Sequence, residues 1–184
     1  MPPAVLVTGS AAMLTAREAW SERTAEWLAA VVQRGTPVLG ICYGHQLLAH
    51  ALGGRVGVNP RGREIGTVAL RLLPGAESDA LLGALVGHGV VHVSHVESVL
   101  ELPPAARRLA ESDGDPHQAF AVGERAWGVQ FHPEFDADVI RAYLDERAEV
   151  LRAEGLDLDA LTRSVTEAPA GPLLLRRFAQ LLRR

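Results

Sequence analysis

Val38-Leu39-Gly40-Ile41-Cys42-Tyr43-Gly44-His45-Gln46-Leu47-Leu48-Ala49 passes from an apolar stretch of strand length to one of helical character, with a cysteine between two glycines at the join. Val38 to Ile41 is short, apolar and rich in branched side chains, as a strand buried on both faces must be. Gln46 to Leu52 has helical character and stops at Gly53-Gly54. A side chain on so sharp a strand-to-helix turn occupies a strained backbone conformation, and its neighbours must lack Cβ atoms because strand and helix crowd there. Gly40 and Gly44 meet that need, so Cys42 reads as a nucleophile at an elbow. The helix N-terminus also sets partial positive charge beside the sulfur and favours a negatively charged atom there. A lone cysteine is more commonly a small buried hydrophobe, and on this segment alone the two readings weigh equally.

Upstream, Val5 to Thr8 is a second short apolar run ending at Gly9-Ser10, a strand that delivers its end to a turn. Trp20, Thr24, Trp27, Leu28 and Val31 recur at helical spacing before Gly35, which predicts a helix with both tryptophans in the core. Downstream the pattern changes to β-rich runs at Ile65 to Leu72 and Val90 to Val96, with a short helix at Asp79 to Val86. Ala119 to Val122 and Ala126 to Phe131 read as a hairpin about Gly123-Glu124. Helices follow, one from Asp136 to Glu154 and one from Leu173 to Leu182. Alternating strands and helices, then antiparallel pairs, then helices predict a three-layer α/β domain with a mixed sheet. Residues 1–184 read as one domain, with 136–184 a helical extension.

The second informative segment is Gly128-Val129-Gln130-Phe131-His132-Pro133-Glu134. Pro133 keeps His132 out of the helical region, so the side chains on either side of the proline leave an extended backbone toward the same side. Glu134 would then fix the imidazole tautomer, and His132 would take a thiol proton and return it to a leaving group. Without Cys42, His132 would be read as an ordinary strand-end histidine.

Both segments, in this order and at this spacing, resemble the signature blocks of class I, triad-type glutamine amidotransferases, and Tyr43 after the cysteine resembles the GMP-synthase-type branch. The resemblance runs from about Val5 to Phe135 and implies a three-layer α/β/α fold on a mixed, mostly parallel, flavodoxin-like sheet. It implies a Cys42–His132–Glu134 triad that hydrolyses glutamine through a γ-glutamyl thioester. It implies an oxyanion hole from the backbone N–H groups at Gly9 and Tyr43. It also implies contacts to bound glutamine from Gln46 and from the Ser94-His95 segment. Read from sequence alone, Gln46 could equally be a helix-surface residue, and His95 a core or solvated one. No cofactor is called for. His92 and His95 fall on opposite faces of a strand, and His88 with His92 lacks a carboxylate partner, so no metal site is expected.

Relatives in that family usually open with a further strand and helix ahead of the run at Val5; their absence reads as a start further upstream or a truncated chain, with an unpaired sheet edge. The sequence also has no Gly-x-x-x-x-Gly-Lys phosphate loop and no ATP-pyrophosphatase segment, so a separate synthase subunit is expected to receive the ammonia. The alternatives are a stand-alone γ-glutamyl hydrolase and a catalytically silent partner-binding domain.

Composition narrows the field from the other side. Eighteen basic against 22 acidic residues give a net charge of −4, with no basic patch suited to nucleic acid. Arg176-Arg177 with Arg183-Arg184 reads as a solvated helix face. A single cysteine excludes an internal disulfide, and no apolar run reaches the ~20 residues of a membrane span, so a cytoplasmic protein is expected.

Overall fold

The computed structural model describes residues 2–183; Met1 and Arg184, the latter counted in the basic cluster, lie outside the described residues. The chain begins with β1 (Val5–Val7), then α1 (Ala19–Gln33), β2 (Val38–Ile41) and α2 (Tyr43–Ala51). β1 and β2 pair in parallel, and β10 (Ala126–Val129) joins the other side of β2, also in parallel. β2 therefore has a strand on each side and helices on each face, and all four of its residues are buried. That is why it reads as an unbroken apolar run.

β9 (Ala119–Val122) folds back on β10 about Gly123, whose φ of 59° suits a residue without a side chain. β8 (Ala106–Glu111) and β5 (Arg71–Leu72) extend the sheet to the order β1-β2-β10-β9-β8-β5 among the described residues. The sheet is mixed as expected, but its balance differs from the mostly parallel sheet read from sequence: two of its five pairings are parallel and three antiparallel. The antiparallel half rests on β8 and the two-residue β5, which carry little local signal. Two ribbons stand apart from the sheet: β3 (Arg55–Val58) with β7 (Glu97–Glu101), and β4 (Glu64–Ala69) with β6 (Val90–His95).

Alternation along the strands divides the core in two. Val38, Phe120 and Ala126 face α1 and α2, meeting Leu28, Val31, Leu47 and Leu48. Leu39, Ile41, Trp127 and Val129 face the other way, toward Val91 and Val93 of β6 and toward Leu174 and Phe178 of α6 (Ala170–Leu181). These are the three layers. Arg177 is not simply solvated: its Nε donates to Ala80 O at 2.7 Å and ties α6 to the segment before the 3₁₀ turn Leu82–Leu85.

Two expectations for the helices need correction. The buried face of α1 is Ser21, Ala25, Leu28 and Val31, whereas Trp20 and Trp27 are 41% and 46% exposed. Small residues let α1 approach α2 closely, and Ser21 Oγ lies 2.6 Å from Tyr43 Oη at that contact. An indole cannot fit there, so Trp20 lies at the margin, stacked on the Tyr43 ring at 5.6 Å. The helix read as Asp136 to Glu154 is two, α3 (Ala137–Glu146) and α4 (Ala148–Ala153), meeting at Arg147. A further helix, α5 (Leu158–Ser164), capped by Asp157, buries none of its own residues fully and so leaves no apolar stripe to read. Ala137, Ile140, Leu144 and Leu151 form a third cluster with Ile65 of β4. No helix among the described residues is long and apolar enough to cross a membrane.

Candidate active site

Cys42 stands between β2 and α2 with φ 50° and ψ −104°, one of two described non-glycine residues at positive φ. Its backbone N–H donates to Val129 O at 2.9 Å, so β10 holds the turn in place. A Cβ at Gly44 would fall 2.8 Å from Val7 C, and closer still to Val7 O; one at Gly40 would fall 2.6 Å from Gly44 C. Both positions are closed to any other residue, which is the crowding that the sequence pattern implied.

His132 lies just past the end of β10, its backbone N–H donating to His92 O at 2.8 Å. Across Pro133, Nδ1–H donates to Glu134 Oε1 at 2.7 Å. The carboxylate thereby fixes the tautomer and leaves Nε2 for Cys42. The sulfur lies close enough to raise the proton affinity of the ring. In this conformation the thiol is directed at Ser94 O, a long contact of 3.9 Å, and catalytic hydrogen bonds are commonly slack before substrate binds.

Burial works against the His132 imidazolium, but contact with Cys42 and Glu134 outweighs it and the pKa is raised to about 9. The folded chain therefore holds this proton more tightly than the unfolded chain, whose histidine titrates near 6.5. The resulting stability is present in full below pH ~6.5 and is lost as pH rises through about 9. Glu134→Gln should lower the His132 midpoint. In paired thermal melts, its deficit relative to wild type should be open at pH 6 and closed by pH 10. A deficit independent of pH would show that the pair contributes nothing through its charge.

A cavity of about 480 Å³ opens over these groups. One wall is the loop carrying Gly9, where a Cβ would come 3.0 Å from His132 Cε1 and 3.7 Å from Cys42 Cβ. The N–H groups of Gly9 and Tyr43 have no backbone acceptor among the described residues. Gln46 also lines the cavity; its Nε2 donates to Glu97 O at 2.7 Å and Gln130 Oε1 at 3.1 Å, so its carbonyl oxygen is the end left for a ligand. Ser94 and His95 form part of the wall, but the His95 ring is committed elsewhere. Its Nδ1 faces Glu97 O at 3.0 Å and its Nε2 faces Glu64 Oε2 at 2.9 Å. Any contact from His95 to a ligand must come from its backbone, not from the side chain.

Sequence reasoning missed Glu97. Its buried carboxylate accepts from Leu14 N at 2.6 Å, Thr15 N at 3.3 Å and the Thr15 hydroxyl, and so ties down the loop that carries Gly9. Its one local signal is that it lies two residues past His95, yet the two side chains serve different partners. Arg63, Tyr143 and Arg147, which also line the cavity, were missed as well.

A cysteine on a strained elbow, a histidine held by a glutamate, and two cavity-lining residues whose N–H groups have no backbone acceptor suit acyl transfer from an amide. Comparison with known proteins agrees. The family model described as glutamine amidotransferase class-I matches residues 4–147. The chain is 44% identical over 115 residues to a glutamine-hydrolyzing GMP synthase of Aeropyrum pernix, covering 62% of this chain and 22% of that protein. With the enzyme of the same name from Albidiferax ferrireducens it is 33% identical over 211 residues, 97% of this chain and 38% of that protein. It thus spans between about a fifth and two fifths of the length of these relatives. The crystal structure of a glutamine amidotransferase from Thermotoga maritima shares the fold, with TM-score 0.75 over 96% of this chain and 77% of that one at 23% identity. On the extent of the family match, the chain belongs to the class I glutamine amidotransferases.

Proposed function

We propose that this chain hydrolyses glutamine to glutamate and ammonia and passes the ammonia to a separate synthase of the GMP-synthase type. The observation that carries the reading is the 2.7 Å His132–Glu134 bond beside Cys42 on its strained turn. The Cys42 sulfur attacks Cδ of the glutamine side chain, and the oxyanion so formed accepts from the Gly9 and Tyr43 N–H groups. His132, holding the proton, gives it to the departing nitrogen. Ammonia leaves, and a γ-glutamyl thioester remains on Cys42. His132 then takes a proton from water, the hydroxide attacks the thioester, and glutamate departs as the thiol is restored. Gln46 Oε1 and the backbone at Ser94-His95 are suited to the ammonium end of the substrate. GMP synthase is the activity named for the relatives, which makes a nucleotide-building synthase the first partner to try.

One observation favours a second reading. A cavity of about 480 Å³ lies in the range that takes drug-sized ligands, more than one amino acid fills, and Tyr143 and Arg147 from the helical segment help to line it. A hydrolase acting on larger γ-glutamyl amides by the same thioester chemistry would use that room. Turnover of glutamine, set beside a panel of N-substituted γ-glutamyl amides, with and without added GMP-synthase-type synthase, separates the two. Glutamine turnover that rises with the synthase supports the amidotransferase; inert glutamine with hydrolysis of a substituted amide supports the second reading.

A further inference from the structure

Three rings and a cation stand in file beside the reacting groups. The His132 imidazole lies flat on the Phe135 ring, with centroids 4.0 Å apart and planes 7° from parallel. Phe135 in turn meets Tyr143 of α3 at 5.0 Å and 57°. Arg147 Cζ stands 4.2 Å from the centroid of Tyr143. The far end of the file is anchored, because α3 buries Ala137, Ile140 and Leu144 against Ile65 of β4.

We propose that Phe135 is a positioning residue for His132, and that α3, through Tyr143, is the seat that holds Phe135 in place. The inference rests on the reading of His132 as the proton carrier. The bond from Nδ1 to Glu134 fixes one point of the imidazole but leaves the ring free to swing about that contact, since the torsion that turns it is broad. A parallel ring beneath it removes that freedom and keeps Nε2 on the sulfur. The negative face of Phe135 also favours the imidazolium over the neutral ring. The sequence gives no hint of this, because the stack joins residues three apart on a turn and requires α3 to fold back over it.

Several charged and titratable groups surround His132. Glu134 contacts it directly from the same turn and Cys42 from the turn between β2 and α2; Arg63 before β4 and Glu97 of β7 line the same cavity. His92 of β6 meets it only through its backbone carbonyl, and burial lowers the proton affinity of its ring. Arg147 is two rings away, with Glu146 on its Nη1. Phe135 is thus the only ring in stacking contact with His132 among the described residues.

The test compares wild type, Phe135→Leu, Phe135→Tyr and Tyr143→Leu as full chains. The His132 ring is titrated by NMR, its signal assigned by loss in His132→Gln. Cys42 alkylation by iodoacetamide is followed against pH, and kcat and KM are measured for glutamine. In Phe135→Leu the His132 midpoint falls by about one pH unit. The alkylation profile moves with it, and kcat falls roughly tenfold while KM stays within about twofold. Phe135→Tyr keeps the flat ring and holds all three near wild type, and Tyr143→Leu moves them in the same direction by less. An unmoved midpoint and alkylation profile in Phe135→Leu, or an equal change in Phe135→Tyr, overturns the proposal. Should Phe135→Leu fail to fold, Tyr143→Leu decides by the same readouts. The titration and alkylation need no turnover, so a wild type inert toward glutamine would count against the functional reading and leave the stacking test intact.

Discussion

Cys42→Ala removes release of glutamate and ammonia from glutamine, by roughly 10⁴-fold or more, and leaves the fold standing. The loss is large because no other described group can form the thioester: Cys42 is the chain's only cysteine, and Ser94 meets the sulfur only through its carbonyl oxygen. The fold survives because alanine keeps the Cβ, and Cys42 N–H still donates to Val129 O. The same position tests the strain. A non-glycine residue at φ 50° and ψ −104° stores on the order of 1–3 kcal/mol, and glycine releases it at the cost of some chain entropy. Cys42→Gly should therefore melt above Cys42→Ala by a few degrees, since about 1 kcal/mol moves Tm by 2–4 °C at this size. Both variants are inactive, so activity and stability part company at one residue. Residual turnover in Cys42→Ala within tenfold of wild type would end the thioester reading. A Cys42→Gly that melts below Cys42→Ala would remove the strained elbow.

What the sequence disclosed and what it withheld divide along the range of the interactions. β2, the elbow, the hairpin at Gly123 and the pairing of His132 with Glu134 were legible because each is settled within a few residues by glycine, proline or an apolar run. Cys42 and His132 were brought together as expected, although the partnership spans ninety residues, because each segment carries its own local mark. Glu97 is marked only by its place two residues past His95: its partners Leu14 and Thr15 are 83 and 82 residues away, and an exposed strand glutamate would look the same in sequence. The tryptophans misled for a related reason. Helical spacing identifies a stripe, but which of two adjacent stripes is buried depends on what α2 presents, and Tyr43 admits Ser21 and Ala25 rather than indoles. The Ser94-His95 segment lines the cavity, yet the imidazole turns inward, because Glu64 from the neighbouring ribbon strand offers it a partner at 2.9 Å. Local sequence marks Cys42 and His132; the residues that line the cavity around them come from distant strands and from α3.

Gly44→Ala tests that register directly, and its expected result is loss of the fold's stability rather than of one contact. The new methyl would sit 2.8 Å from Val7 C and 2.9 Å from Val7 Cβ, and nearer still to Val7 O. None of these is the end of a flexible side chain. Val7 is paired with Gly40 in the β1–β2 register, so it cannot withdraw without opening that pairing, and α2 cannot lift without drawing Tyr43 N–H away from the cavity. Overpacking of a rigid site costs about 1–3 kcal/mol and sometimes more, against a total stability of roughly 5–15 kcal/mol. A fall in Tm on the order of 10 °C, or failure to accumulate as folded protein, is therefore expected. Gly89→Ala provides the control: a Cβ there meets nothing within 4 Å and its φ is not positive, so that variant should melt within about 2 °C of wild type. Thermal melts of the two variants side by side distinguish crowding from the general effect of replacing a glycine. If Gly44→Ala melts with Gly89→Ala, the close approach of α2 to β1 is not present in solution, and the elbow that presents Cys42 must be built some other way.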